Sequence, residues 1–404
     1  FTAVGYGSLA TLPEMSAIFE HFGHFVYGAM LLRGLFVLTS VIAIVWLHYG
    51  LRARAADVMP GLEEIDKGLD EIRAWSHSTS PMLIACGDKS LFRSGTTPAP
   101  KGFIGYRASG RFLVAYSDPV CPAGTERDLL AAFLDHAAAS DLDVILYQIS
   151  TRFLPIAHDF GFTFFKLGEE AIVDLNRFDL KGDKAKSWRH AINSVEKAGG
   201  RFEIVEPAGI PALLEELKRV SDDWLAEKKV TEKRFSIGRF DEDYLRRFAC
   251  AIIRGSDNRI VAFANVLEGR AGGEISIDLM RFSARREKAA ALRNVMDCLL
   301  LHLMLHGRQR GFTRFNLGMA PLAAVGEERW ARPFEKLAHL FFEHGEQWYN
   351  YQGLRRWKEK FDPSWEPRYL AYPRPWDWPL AVTSTAVLIA GGWRSLLSPA
   401  GARS

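Results

Sequence analysis

Asp278 and Arg281 stand three residues apart in the run SIDLMR, Ser276–Arg281. One can accept a proton, and the other matches phosphate oxygens in pairs. Set where a strand-like run gives way to a loop, they are a site candidate; the competing reading is a structural ion pair at a strand end. Asn316, in NLGMAPL (Asn316–Leu322), offers a polar contact at the end of a second strand-like run. In Tyr349–Pro373, the bases Arg355, Arg356, Lys358 and Lys360 alternate with Trp357, Phe361, Trp365 and Tyr369. That mixture suits a phosphate-bearing surface, a nucleic acid end or a lipid interface, or else a closing strand with its aromatics on the core. In Lys181–Arg201, a helix would put Lys186, Arg189, His190, Asn193 and Lys197 on one face. Such a face either binds anions, the phosphates of lipid or RNA, or is simply solvated. His302 and His306 have metal-like spacing but no third ligand nearby, so they read as packing or surface residues. Asp118, beside Pro119, reads as a turn former.

The elements around these residues alternate. Glu274 opens a strand pattern that runs into Asp278, and a basic segment without glycine follows, Ala284–Ala290. A helical pattern, Ala291–Arg310, leads to a strand pattern, Thr313–Leu317. Strand, basic loop, helix and strand form the middle of an α/β core, where ligands gather at the C-terminal ends of strands. Earlier, Met82–Cys86, Gly102–Tyr106 and Arg111–Tyr116 read as strands separated by turns. A helix over Gly124–Ser140 and a strand over Val144–Ile149 come next. Both halves thus have a strand ending in an Asp-containing turn, then a helix and a strand, which suggests two copies of one fold. Further patterns predict helices over Pro211–Glu227 and Phe334–Phe342 and a strand over Ile260–Leu267.

The 404 residues carry a net charge of only +3, so positive charge matters in patches. The four cysteines form no CxxC pair and read as reduced cytosolic thiols. Phe25–Leu47 carries one charge, Arg33, and is long enough to cross a bilayer. Arg52 and Arg54 follow it, which places the rest in the cytoplasm. The shorter apolar run Leu380–Ala390, flanked by Trp376, Trp378 and Trp393, suits a helix lying in the interface. Phe1 is not a natural start, which suggests the C-terminal part of a longer protein. No P-loop, dinucleotide fingerprint, GxSxG elbow or HExxH occurs.

The element order around Asp278–Leu322 resembles the Gcn5-related N-acetyltransferase fold. The glycine-free loop lacks the phosphate-binding backbone that a CoA donor needs. Phe103–Val120, Lys186–Gly199, SIDLMRF, NLGMAPL and Tyr349–Pro373 together resemble the bacterial phosphatidylglycerol lysyltransferase family, also called multiple peptide resistance factor. The resemblance implies tandem acetyltransferase-like domains in an α/β (α+β) chain: a membrane segment 1–54 with a transmembrane helix at about 25–47, a connector 55–80, a first domain 81–175, a basic linker helix 176–200, a catalytic domain 201–374 and an interfacial helix 375–404. It implies transfer of lysine from lysyl-tRNA to phosphatidylglycerol, without ATP, CoA or another cofactor. The product lowers the negative charge of the membrane and gives resistance to cationic antimicrobial peptides. Asp278 and Arg281 are then catalytic. Asn316, Arg355, Arg356, Lys358, Lys186, Arg189 and His190 contact substrates, and Glu274 or Asp297 reads the lysyl ammonium. The expected partners are a flippase-like membrane domain in the same polypeptide and a second copy of the chain; the expected location is the bacterial inner membrane. Alanyl transfer, peptidoglycan branching, and a lipid- or RNA-binding module are the alternatives.

Overall fold

A computed structural model describes residues 57–94, 101–228, 232–283, 294–323, 325, 330 and 351–392, together with 36, 37, 39 and 40. The chain divides into two compact units, Phe1–Ala53 and Arg54–Ser404. The expected transmembrane stretch lies outside the described residues except for Phe36, Val37, Thr39 and Ser40, which are helical. Among the described residues, no helix is long and apolar enough to cross a membrane. The segments Ala284–Ala290 and Phe334–Phe342 also lie outside them.

Among the described residues, the second unit is built on one sheet of eleven strands. These are β1 (Ser90–Phe92), β2 (Ile104–Ser109), β3 (Phe112–Tyr116), β4 (Asp143–Ser150), β5 (Thr163–Asp174), β6 (Arg201–Val205), β7 (Ala249–Arg254), β8 (Ile260–Glu268), β9 (Glu274–Phe282), β10 (Arg314–Pro321) and β11 (Ser364–Tyr372). The helices are α1 (Leu62–Trp75), α2 (Glu126–Ala139), α3 (Leu154–Asp159), α4 (Lys186–Lys197), α5 (Leu214–Lys228), α6 (Glu242–Leu245), α7 (Val295–Gln309), α8 (Tyr351–Glu359) and α9 (Trp378–Ala390).

A strand–helix–parallel-strand unit occurs twice. β3 and β4 pair in parallel around α2, and β9 and β10 pair in parallel around α7. The order across the sheet is β1-β2-β3-β4-β11-β5-β10-β9-β8-β7-β6. The last strand of each half therefore lies in the other's territory: β5 pairs with β10, and β11 pairs with β4. α7 buries Leu299, Leu300, Leu303 and Met304 against the sheet. At Gly307 an added Cβ would stand 3.0 Å from Ile275, so the missing side chain lets this helix approach β9 closely.

One expected strand is absent. Met82–Cys86 lies in a 3-10 helix, Ser80–Cys86, with Pro81 at its start and left-handed Gly87 closing it. A short apolar run does not separate a strand from a buried helical turn. These residues reach the core without a ladder partner, packed with α1 and Tyr244. The ring of His302 stacks on Phe202 at 4.7 Å.

Candidate active site

β9 continues through Asp278 and Arg281, where the sequence suggested that strand gives way to loop, to Phe282. Its pairing with β8 slips between Ala264 and Val266, where three steps of β9 oppose two of β8. This is a β-bulge, and it re-aims the side chains that follow. Buried Asn265 fills it, its Oδ1 accepting from Leu279 N–H at 2.7 Å and from Asp278 N–H at 3.4 Å.

Asp278, within the bulge, and Arg281, just past it, both meet one irregular strap, residues 232–241. Gly238 N–H donates to Asp278 Oδ1 at 3.0 Å, and the Tyr244 hydroxyl, from α6, donates to Oδ2 at 2.7 Å. An added Cβ at Gly238 would lie 1.7 Å from Asp278 Oδ2, so any side chain there must displace the carboxylate. Burial raises the Asp278 carboxyl above its ordinary range, although the two hydrogen bonds and the charges of Lys89 and Arg281 pull it down. Burial and the Asp278 charge hold the Tyr244 hydroxyl far above its usual value, so it stays a donor.

Arg281 takes Glu232 as its carboxylate, at 2.8 Å, rather than Asp278. Its guanidinium lies 4.2 Å over the Trp224 ring, and its Nη1 is buried without a hydrogen-bond partner among the described residues. The structural ion pair between Asp278 and Arg281 is therefore not formed. Asp278 is left as a carboxylate whose hydrogen-bond partners are neutral.

A second buried group lies where β5, β9, β10 and β11 meet. Asn316 Nδ2 donates to Glu170 at 3.0 Å and to Glu274 at 3.3 Å. Glu274 also accepts from Thr79 N–H and Oγ1, and burial plus the Glu170 charge raises its carboxyl. Arg368 pairs with Glu170 at 2.5 Å. Lys358 turns inward and donates to the carbonyls of Gly318 and Met319, at 2.8 and 2.9 Å. Burial lowers its ammonium to about 7, so this amine exchanges a proton near neutrality. Glu274, Asn316 and Lys358 are thus gathered, with Asp278 four residues further along β9.

The remaining candidates lie apart. Arg355 is half-buried over Trp365 and pairs with Glu169 and Glu359; Arg356 is exposed. Asp297 accepts from Trp357 Nε1 and Lys360, which occupies it in packing. On α4, Lys186 and His190 are exposed, whereas Arg189 caps the carbonyls of Leu180 and Gly182. Tyr244, Gly238, Glu232 and Glu170 were not found by sequence reasoning. They lie far from SIDLMR in the chain, and no spacing connects them.

A family profile described as "Phosphatidylglycerol lysyltransferase, C-terminal" matches residues 72–372. The chain belongs to this family. The Staphylococcus haemolyticus phosphatidylglycerol lysyltransferase is 36% identical over 311 residues, 77% of this chain and 36% of that protein. The chain thus spans about a third of the length of the curated relatives it matches. The C-terminal domain of an Agrobacterium fabrum protein named for lysylphosphatidylglycerol synthesis is 39% identical, with a TM-score of 0.71 over 82% of this chain and 98% of that one. L-PGS from Bacillus licheniformis is 35% identical, with a TM-score of 0.69 over 83% and 99%. FemX, 8% identical at a TM-score of 0.51 over 81% of this chain and 100% of that one, shares the fold alone.

Proposed function

We propose that the chain transfers lysine from lysyl-tRNA to a glycerol hydroxyl of phosphatidylglycerol. The observation that carries this reading is Asp278, a half-buried carboxylate of raised basicity held by neutral donors. The hydroxyl gives its proton to Asp278 and attacks the lysyl ester carbonyl. A new C–O bond forms, and a tetrahedral oxyanion develops that needs donors. The ester C–O bond to the terminal ribose then breaks, and the proton passes to the departing ribose oxygen. The ester is already activated, so the exchange needs no nucleotide. Arg281, with its unpartnered Nη1, takes a phosphate oxygen of one substrate. Glu274 faces the lysyl ammonium, Asn316 and Lys358 order the Gly318 backbone beside it, and Arg355, Arg356, Lys186, Arg189 and His190 contact the anionic substrates.

In this reading 25–47 spans the membrane beside a flippase-like domain of the same polypeptide, and the sheet unit works on the cytoplasmic side of the bacterial inner membrane. α9 rests on the lipid, in keeping with exposed Trp376, Leu380 and Val382. The test is turnover of detergent-solubilised chain with phosphatidylglycerol vesicles and radiolabelled lysyl-tRNA. A labelled cationic lipid is expected, absent after RNase treatment and reduced at least a hundredfold by Asp278→Ala, the range for losing a general base. Label appearing only with alanyl-tRNA would keep the mechanism and change the donor. Undiminished transfer by Asp278→Ala would remove the assigned base.

A further inference from the structure

Lys89, whose charge pulls the Asp278 carboxyl down, belongs to a buried charged pair that takes no part in the proton transfer. Asp88 and Lys89 precede β1 in the first half of the sheet, 6% and 0% exposed. The Lys89 ammonium donates to Asp88 Oδ1 at 2.7 Å and to Leu83 O at 2.9 Å. It also lies over the rings of Tyr116 and Phe235, 5.3 and 5.5 Å from their centres. The other carboxylate oxygen, Asp88 Oδ2, accepts from Phe235 N–H at 2.9 Å. Phe235 belongs to the strap and sits at φ +66°, left-handed backbone that an aromatic residue adopts only when its surroundings impose it. Its ring stacks on Tyr147 at 6.1 Å, so it is fixed at both main chain and side chain.

Both site residues hang from this strap. Three residues before Phe235, Glu232 pairs with Arg281; three residues after it, Gly238 donates to Asp278. The missing Cβ at Gly238 means that Asp278 cannot tolerate a shift of the strap toward it.

We propose that the Asp88–Lys89 pair is a positioning device: through Phe235 N–H, Asp88 fixes the strap that sets Asp278 and Arg281. The first half of the fold thereby orders the acid carried by the second. The proposal rests on the reading of Asp278 as the base.

Two double variants separate positioning from bulk packing. D88N/K89M removes both charges but keeps an amide oxygen that can accept from Phe235. D88L/K89M removes the charges and the acceptor. The variants differ only at position 88, and replacing a buried pair by residues of similar volume preserves folding in many proteins. Each is prepared as the full chain in detergent. Deuterium exchange across 232–240 and steady-state kinetics with phosphatidylglycerol vesicles and lysyl-tRNA are then compared.

D88L/K89M is expected to exchange about tenfold faster in the strap and to lose about ten- to a hundredfold in kcat, the scale for a misplaced catalytic group, with KM for lysyl-tRNA within about twofold. D88N/K89M is expected to keep strap exchange within about threefold of the parent; both variants lose the Lys89 charge that pulls the Asp278 carboxyl down, so the kcat of D88L/K89M is read against D88N/K89M. Equal strap exchange in the two variants would overturn the proposal. So would equal losses accompanied by faster exchange throughout the chain, which would mean general destabilisation. Asp278→Asn serves as the control. If it remains active, the reading of Asp278 fails; if it is dead while D88L/K89M exchanges and turns over normally, only the positioning role fails.

Discussion

Desolvation works against the ionised form of Asp278 and holds its carboxyl above the ordinary range. A carboxyl raised by folding contributes stability at low pH and loses it as pH rises through the folded value. Replacing it with Asn removes a strained charge and keeps an acceptor for Gly238 N–H and a donor for the Tyr244 oxygen. Asp278→Asn is therefore expected to raise the melting temperature at pH 7.5. The gain should vanish below the ordinary aspartate value of about 3.9, where the parent is neutral as well. Thermal unfolding at the two pH values checks this, and a variant equally or less stable at pH 7.5 would contradict the assigned burial. Gly238→Ala tests the same contact from the other side. Its methyl group must displace Asp278, and turnover should drop about a hundredfold, the scale for a small misplacement of a reacting group.

At the scale of elements, periodic helices and the run into Asp278 were legible because each carries its own pattern. α4, α7 and β8 fall close to their expected places. Met82–Cys86 was not legible, since five apolar residues do not declare their period. Nor was the β9 bulge, because its cause is Asn265 on the neighbouring strand. Among site residues, Glu274, Asn316 and Lys358 were readable as residue types, but not the inward turn of Lys358, which depends on the carbonyls of β10. The face of α4 was read correctly in spacing, with Lys186, His190, Asn193 and Lys197 exposed and Arg189 spent on capping. Trp188 Nε1 donates to Lys360 O and fastens this helix beside the turn after α8. If this face holds RNA phosphates, the K186E/K197E variant should raise KM for lysyl-tRNA about tenfold and flatten its dependence on salt, because each lost phosphate contact releases fewer counterions. Its melting temperature should barely move, as both side chains are solvated. Parent-like kinetics across 50–300 mM salt, a range of about sixfold around physiological ionic strength, would assign the face to plain solvation.

The whole sheet explains why the site lies where it does. β11 sits between β4 and β5, and β5 sits beside β10, so neither half closes its own hydrogen-bond ladder. The seam is also electrostatic: Arg368 of β11 neutralises Glu170 of β5, and Asn316 of β10 joins Glu170 to Glu274 of β9. Removing the cation leaves a buried carboxylate unpaired, so Arg368→Met should destabilise the chain by about 3–5 kcal/mol, more than a surface ion pair ever does. The exchange of strands makes a stronger demand. A fragment of residues 57–200 would keep β1–β5 but lack β11, exposing facing edges of β4 and β5 and the apolar side chains of Phe165 and Ile149 that now pack beneath them. Unpaired strand edges over an open core favour association rather than folding. That fragment should show no cooperative thermal transition by circular dichroism, whereas the unit beginning at residue 54 should show one. A sharp melt of the fragment would mean that the first half owns its core, and that the contacts of the strap with Asp88, Tyr116 and Tyr147 join two finished domains. Without such a melt, the halves fold only together, and the acid of β9 acquires its surroundings in the same step that completes the sheet.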